Sequence, residues 1–142
     1  MQNRKLSWAL GACLITATPF VASEVSAKGG IDGSSDMVCA IMDVVGCTEG
    51  SRCIQDSAKS FELPELIILD AKKKVIRATY ESGYKAVSPV KNIELSNNHL
   101  ILQGVENGHG WNFAVDTKTG DMSGAGLGEI ASFLVFGTCT TL

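Results

Sequence analysis

Four cysteines, Cys39, Cys47, Cys53 and Cys139, are the residues of this chain best placed for covalent chemistry. Thiols at such positions form either disulfides or a thiolate metal site. Structural zinc takes ligands roughly two to four residues apart, often with histidine. Here seven, five and eighty-five residues intervene, and no histidine lies near the cluster. Disulfides are therefore expected, and no metal. Four cysteines allow three pairings. The interval from Cys47 to Cys53, which contains Gly50, can close a small loop. Cys39 would then join Cys139, tying the start of the domain to its end.

The other chemical candidates are His99 and His109, the only histidines. Opposed across neighbouring strands, they could bind a metal or share a proton with a carboxylate. Both sit at hairpin tips or strand starts, where exposed turn flanks are the plainer expectation. No nucleophile is prepared: Asp121-Met122-Ser123-Gly124 lacks the G-x-S-x-G pattern. The run Gly124-Ala125-Gly126-Leu127-Gly128 departs from G-x-G-x-x-G, and strand-like residues follow it instead of a helix that could hold a phosphate. Those glycines read as a bulge or tight bend in a curved sheet. Asp32-Gly33-Ser34-Ser35-Asp36 lacks the full calcium-loop pattern, so solvated acidic surface is expected. Hence no catalytic residue, cofactor or metal ligand is expected. Trp111 and Phe113, with His109, are the candidate contacts for a ligand or partner, the two rings either filling an interior or lining a pocket.

The elements that must position these residues read as strands joined by turns. Met37–Val45 fits a strand better than a short helix because β-branched residues recur without helical period. Val38, Ala40, Met42 and Val44 would form one face, with Cys39, Ile41 and Val45 on the other. Leu66–Leu69 suits a strand covered on both faces, 70–73 a turn and Val75–Tyr80 a return strand. Residues 81–89, with Gly83 and Pro89, read as a loop. Asn97-Asn98 and Asn107-Gly108 are hairpin tips, since asparagine and glycine tolerate the positive φ of tight turns. Trp111, Phe113 and Val115 share one face, with Asn112, Ala114 and Asp116 opposite, a clean alternation. Asp116–Gly120 is a further turn, where Asp bonds its own backbone and Gly takes the left-handed position. Met122–Leu127 and Ile130–Thr138 complete about eight strands, with Ser57–Phe61 as the one helical turn. A meander of this length must curl to hide its edges. The expected fold is all-β: an antiparallel up-and-down meander closing into a small barrel or curved sheet, stapled by two disulfides.

Residues 1–23 have the parts of a secretory signal: Arg4 and Lys5, an apolar stretch from Leu6 to Ala22, and small residues at its end. The stretch is interrupted by Ser7, two threonines and Pro19, and is shorter than the roughly 20 apolar residues of a spanning helix. Cleavage and a periplasmic or secreted protein with no transmembrane segment are expected. Leu10-Gly11-Ala12-Cys13 offers a lipoprotein alternative, in which Cys13 anchors the chain to the envelope. Residues 24–36 then form a flexible lead-in, and 37–142 one β domain. Removing Arg4 and Lys5 from 12 basic and 15 acidic residues leaves a net charge of −5. That balance excludes nucleic acid as the expected partner, and Lys72-Lys73-Lys74 reads as a solvated turn.

Leu100–Gly108, Gly110-Trp111, Asp116–Met122 and Phe133–Thr140, with Cys39, Cys47, Cys53 and Leu63-Pro64, resemble a group of uncharacterised small secreted proteins of proteobacteria. The resemblance implies export from a Gram-negative cell and a β-rich fold; it brings no activity and no catalytic residue. The expected function is a non-enzymatic binding module for a protein partner or a small apolar ligand. The alternatives are an envelope enzyme using His99 or His109 with carboxylates, and the lipid-anchored protein.

Overall fold

A computed structural model describes residues 30–50 and 52–142. The expected signal segment and Cys13 lie outside the described residues. Nine antiparallel strands follow in chain order: β1 (Met37–Thr48), β2 (Ile54–Asp56), β3 (Leu66–Asp70), β4 (Val75–Ala78), β5 (Val87–Ser96), β6 (His99–Glu106), β7 (His109–Asp116), β8 (Asp121–Leu127) and β9 (Ala131–Thr141). Strands β3 to β9 pair in sequence, and β1 pairs with both β3 and β9. Eight strands thus close a barrel. The ninth, β2, extends the sheet by pairing with Val44–Gly46 of β1. The helical turn expected at 57–61 is a single 3-10 turn, Ala58–Phe61.

The seam of the barrel is the β1–β9 ladder, which runs from Met37↔Thr141 to Thr48↔Ala131. Cys39 and Cys139 are direct partners in that register and are disulfide-bonded, with Cα atoms 4.0 Å apart. The second disulfide closes Cys47 to Cys53. Both expected pairings are present.

Two bulges bend the barrel, and each corrects a sequence expectation. In β1 the register slips at Met42. Met37, Cys39 and Ile41 are buried before the slip and Val44 and Gly46 after it, so the inward face changes parity mid-strand. Strict alternation placed Val38, Ala40, Met42 and Val44 together; the extra residue breaks that set. In β5 the slip falls at Lys91. This strand also begins earlier than expected, at Val87, and takes in Pro89. Proline has no N–H to donate, but Pro89 is exposed beside a ladder of only three pairs, where a missing donor is tolerated. Gly124 and Gly126 mark no bulge: β8 pairs with β7 and β9 without a register shift.

The turns divide by end. At one end, Asn97-Asn98 joins β5 to β6 with both residues at positive φ. Asp70 and Asp116 fold the β3–β4 and β7–β8 turns, their Oδ1 atoms accepting from the backbone N–H of Lys73 at 2.9 Å and of Lys118 at 2.7 Å. Gly120 takes the left-handed position, φ 80°. At the other end, besides the Asn107-Gly108 tip and the short 128–130 link, lie two longer connections, 57–65 and 79–86.

Residues 31–36 cross the short-turn end. They form no strand, yet Ile31 packs on the core and Gly33, at φ 82°, lies so close that a Cβ there would stand 3.0 Å from Ile93 and Leu100. Asp36 ties this segment down: its carboxylate accepts from the Ala71 N–H and its carbonyl from that of Leu142.

Candidate functional site

Inside the barrel, the short-turn end is filled. Met37, Leu100 and Val115 are completely buried, and Leu69, Leu102 and Met122 nearly so. The gap left among them is about 10 Å³, no more than the ~10–15 Å³ a single water needs.

The long-loop end is open. There the interior is a cavity of about 290 Å³ whose walls include Ile41, Ile67, Trp111, Phe113, Phe133 and Val135, with Leu63, Pro64 and Tyr84 contributed by the long connections. The rings are paired: Trp111 and Phe113 lie 5.5 Å apart between centroids, and Phe133 meets Phe61 edge-on at 5.7 Å. Large rings fit a narrow barrel here because glycines face them. Gly104 and Gly126 are the register partners of Trp111, Gly124 of Phe113, and Gly46 and Gly126 of Phe133. A Cβ at Gly104 or Gly124 would run into the facing ring. Gly104 and Gly124 let Trp111 and Phe113 lie against the neighbouring backbone, Gly46 does the same for Phe61, and space remains in the middle of this end.

One buried polar side chain, Ser88, stands in the wall among the described residues. Its Oγ accepts from Trp111 Nε1–H at 2.7 Å. An indole N–H buried in apolar surroundings needs such a partner, so Ser88 fixes how the Trp111 ring sits. Over the rim the cavity continues into a shallow cleft lined by His109, Gly128 and Ala131. Glu106, the register partner of His109, borders both.

The structure therefore brings Trp111, Phe113 and His109 to one end. His99 lies at the other, about 23 Å away along β6 at roughly 3.3 Å per residue. The two imidazoles cannot share a metal or a proton. His99 Nδ1 is 3.0 Å from the Asn97 carbonyl, and its Nε2 is 3.9 Å from Asp116 Oδ2, beyond hydrogen-bond reach. Among the described residues no group of His, Cys, Asp and Glu is arranged to hold a metal. Sequence reasoning missed Phe61, Phe133 and Ser88. The glycines set across from aromatics were the available signal for Phe133, but seeing them required the register.

Among the described residues four carboxyls are held below their ordinary value, and three belong to the filled end. At Asp116 the backbone N–H groups of Thr119 and Lys118 stabilise the charge, at Asp70 that of Lys73, and at Asp32 the Ser34 hydroxyl. The fourth, Asp56, is lowered chiefly by the Ser57 N–H.

No protein family, curated protein or solved structure matches this chain. The functional reading rests on the geometry.

Proposed function

We propose that this protein is an exported, non-enzymatic binding module that takes a small, largely apolar ligand in the open end of its barrel. The cavity carries this reading: about 290 Å³, ringed by Trp111, Phe113 and Phe133, at one end of a barrel whose other end is packed solid. Concave, mostly apolar sites with few polar groups are where small molecules bind. The volume is roughly twice the ~150 Å³ cavity that holds a benzene, which fits a ligand of one or two rings.

Export is supported by the basic-then-apolar residues 4–22, by the resemblance to small secreted proteobacterial proteins, and by two disulfides, which persist in oxidising compartments. No helix among the described residues is long and apolar enough to cross a membrane. The outer wall carries exposed polar residues, Asp43, Lys91, Glu94, Gln103 and Asn112 among them, beside exposed apolar ones such as Leu134 and Phe136.

The test is titration with a hydrophobic fluorophore such as 1-aminoanthracene. One site per chain is expected, lost in Ala86→Trp, which sets an indole into the mouth from an exposed wall position. Undiminished binding in a folded Ala86→Trp variant would place the site elsewhere. Amino-terminal sequencing of the cell-fractionated protein checks export: a mature chain beginning at or near Glu24 is expected, and one beginning at Cys13 would make it a lipoprotein.

A further inference from the structure

Of the polar residues that border the cavity, Glu62, Arg77, Tyr84, Glu106 and Ser88, only Ser88 is buried, and its hydrogen bonding is incomplete. A serine hydroxyl has one proton to donate and two lone pairs to accept with. The Ser88 Oγ accepts the Trp111 indole proton at 2.7 Å. Among the described residues its side chain has no other hydrogen bond, so its own proton is not donated within the protein. Ser88 is only 7 % exposed, and what it faces is the cavity. A buried donor without a partner is costly, which favours whatever fills the gap.

We propose that the ligand is a one- or two-ring molecule bearing a hydrogen-bond acceptor, a carbonyl or ether oxygen, which receives the Ser88 hydroxyl proton while the apolar body packs against Trp111, Phe113 and Phe133. This rests on the ligand-binding reading above and adds the chemical class. The indole does two things in this arrangement. It supplies an apolar wall, and by donating to Ser88 it turns the hydroxyl proton toward the ligand. Chains of this kind polarise one another, so Trp N–H to Ser O–H to ligand oxygen strengthens as a unit. A pure hydrocarbon of the same shape would leave the hydroxyl proton unpartnered in the dry complex. A site built this way rejects the analogue that lacks the oxygen.

Acetophenone and α-methylstyrene make the comparison, being matched in shape and differing in C=O against C=CH₂. Calorimetric titration of the full chain should give about five- to tenfold tighter binding of acetophenone, the ratio expected for one hydrogen bond. In Ser88→Ala the two affinities should become equal. The unmutated protein gives an independent readout if that variant fails to fold. Acetophenone should move the Trp111 indole N–H resonance downfield and α-methylstyrene should not, the peak being assigned by its loss in Trp111→Phe. Equal affinities in the unmutated protein, or a preference surviving in Ser88→Ala, would overturn the acceptor assignment and leave the ligand pocket standing. Binding of neither probe would overturn both.

Discussion

The two ends of the barrel share strands and differ in everything else. At one end β1, β6, β7 and β8 supply Met37, Leu100, Val115 and Met122, which leave a gap of about 10 Å³. A few residues further along β7 and β8, Phe113 and Trp111 face glycines, and about 290 Å³ stays empty. The filled end has tight turns, residues 31–36 lying across it and the Cys39–Cys139 bond. The open end has the long connections and the single buried hydroxyl. A small barrel must bury enough surface to fold, and this one concentrates that burial at one end so the other can stay hollow. The long disulfide matters for the same reason: it supports a fold whose apolar interior is only half used.

The largest test of this division is the seam. Replacing Cys39 and Cys139 together by alanine reopens a loop spanning a sequence separation of 100. The chain-entropy relation gives about 4.7 kcal/mol for a loop of that size and about 2 kcal/mol for the Cys47–Cys53 loop. Chemical denaturation of the two double variants should preserve that order. Equal losses would mean that the seam ladder closes the barrel without covalent help.

Next in size is core truncation. Leu100→Ala in the filled end should cost about 3 kcal/mol, within the range for a fully buried leucine in a site that cannot collapse. Phe133→Leu at the open end should cost less than about 1.5 kcal/mol, because the ring already borders empty space. Fluorophore affinity should respond in the opposite order, barely changed by the first and clearly weakened by the second. Should Leu100→Ala weaken binding as much as Phe133→Leu, the two ends are one cooperative unit.

A smaller effect isolates one hydrogen bond. Trp111→Phe keeps an aromatic wall and removes the N–H donated to Ser88. The expected cost is about 1 kcal/mol, since the hydroxyl loses its one partner inside a largely dry wall. A stability change indistinguishable from zero would mean that water reaches Ser88, and the cavity would not be dry.

How much of this was legible in the sequence follows the same division. The filled end was legible because its information is local. Asn97-Asn98 and Asp116–Gly120 specify turns by the φ values and side-chain bonds their residue types favour, and the structure has those turns; Asn107-Gly108 is an equally local signal at the open end. The disulfide pairing followed from spacing. The inward alternation of Trp111, Phe113 and Val115 was also visible, and with it half of the aromatic wall. What was hidden is relational. Gly124 and Gly126 read as a bend because a glycine in a strand usually marks one; Gly124 instead lies against the Phe113 ring, which only the register reveals. Ser88 was lost in a presumed loop because Pro89 disguises the start of β5. The bulge at Met42 scrambled the inward face of β1, since no local pattern announces where an extra residue will be absorbed.

The smallest effect separates the ends by their charges. Asp32, Asp70 and Asp116 belong to the filled end, and their carboxyls are held below the ordinary value of 3.8 mainly by hydrogen bonds from neighbouring N–H and hydroxyl groups. For a carboxyl depressed in the folded state, the unfolded chain takes up protons first as the pH falls. The stabilisation is therefore complete above the unfolded value and is lost as the pH drops through the folded one. Asp32 is exposed and Asp70 and Asp116 are partly so, so each contribution is screened and modest. The urea midpoint should hold steady down to about pH 5 and decline below about pH 4. In the Asp70→Asn and Asp116→Asn double variant the decline should be shallower, because the amide keeps an accepting oxygen but has no charge to lose. The open end contributes Asp56 alone, so Asp56→Asn should flatten the profile less than the double variant does. If it flattens the profile equally, the acid response belongs to the whole barrel, and the charged turns are no part of what distinguishes its two ends.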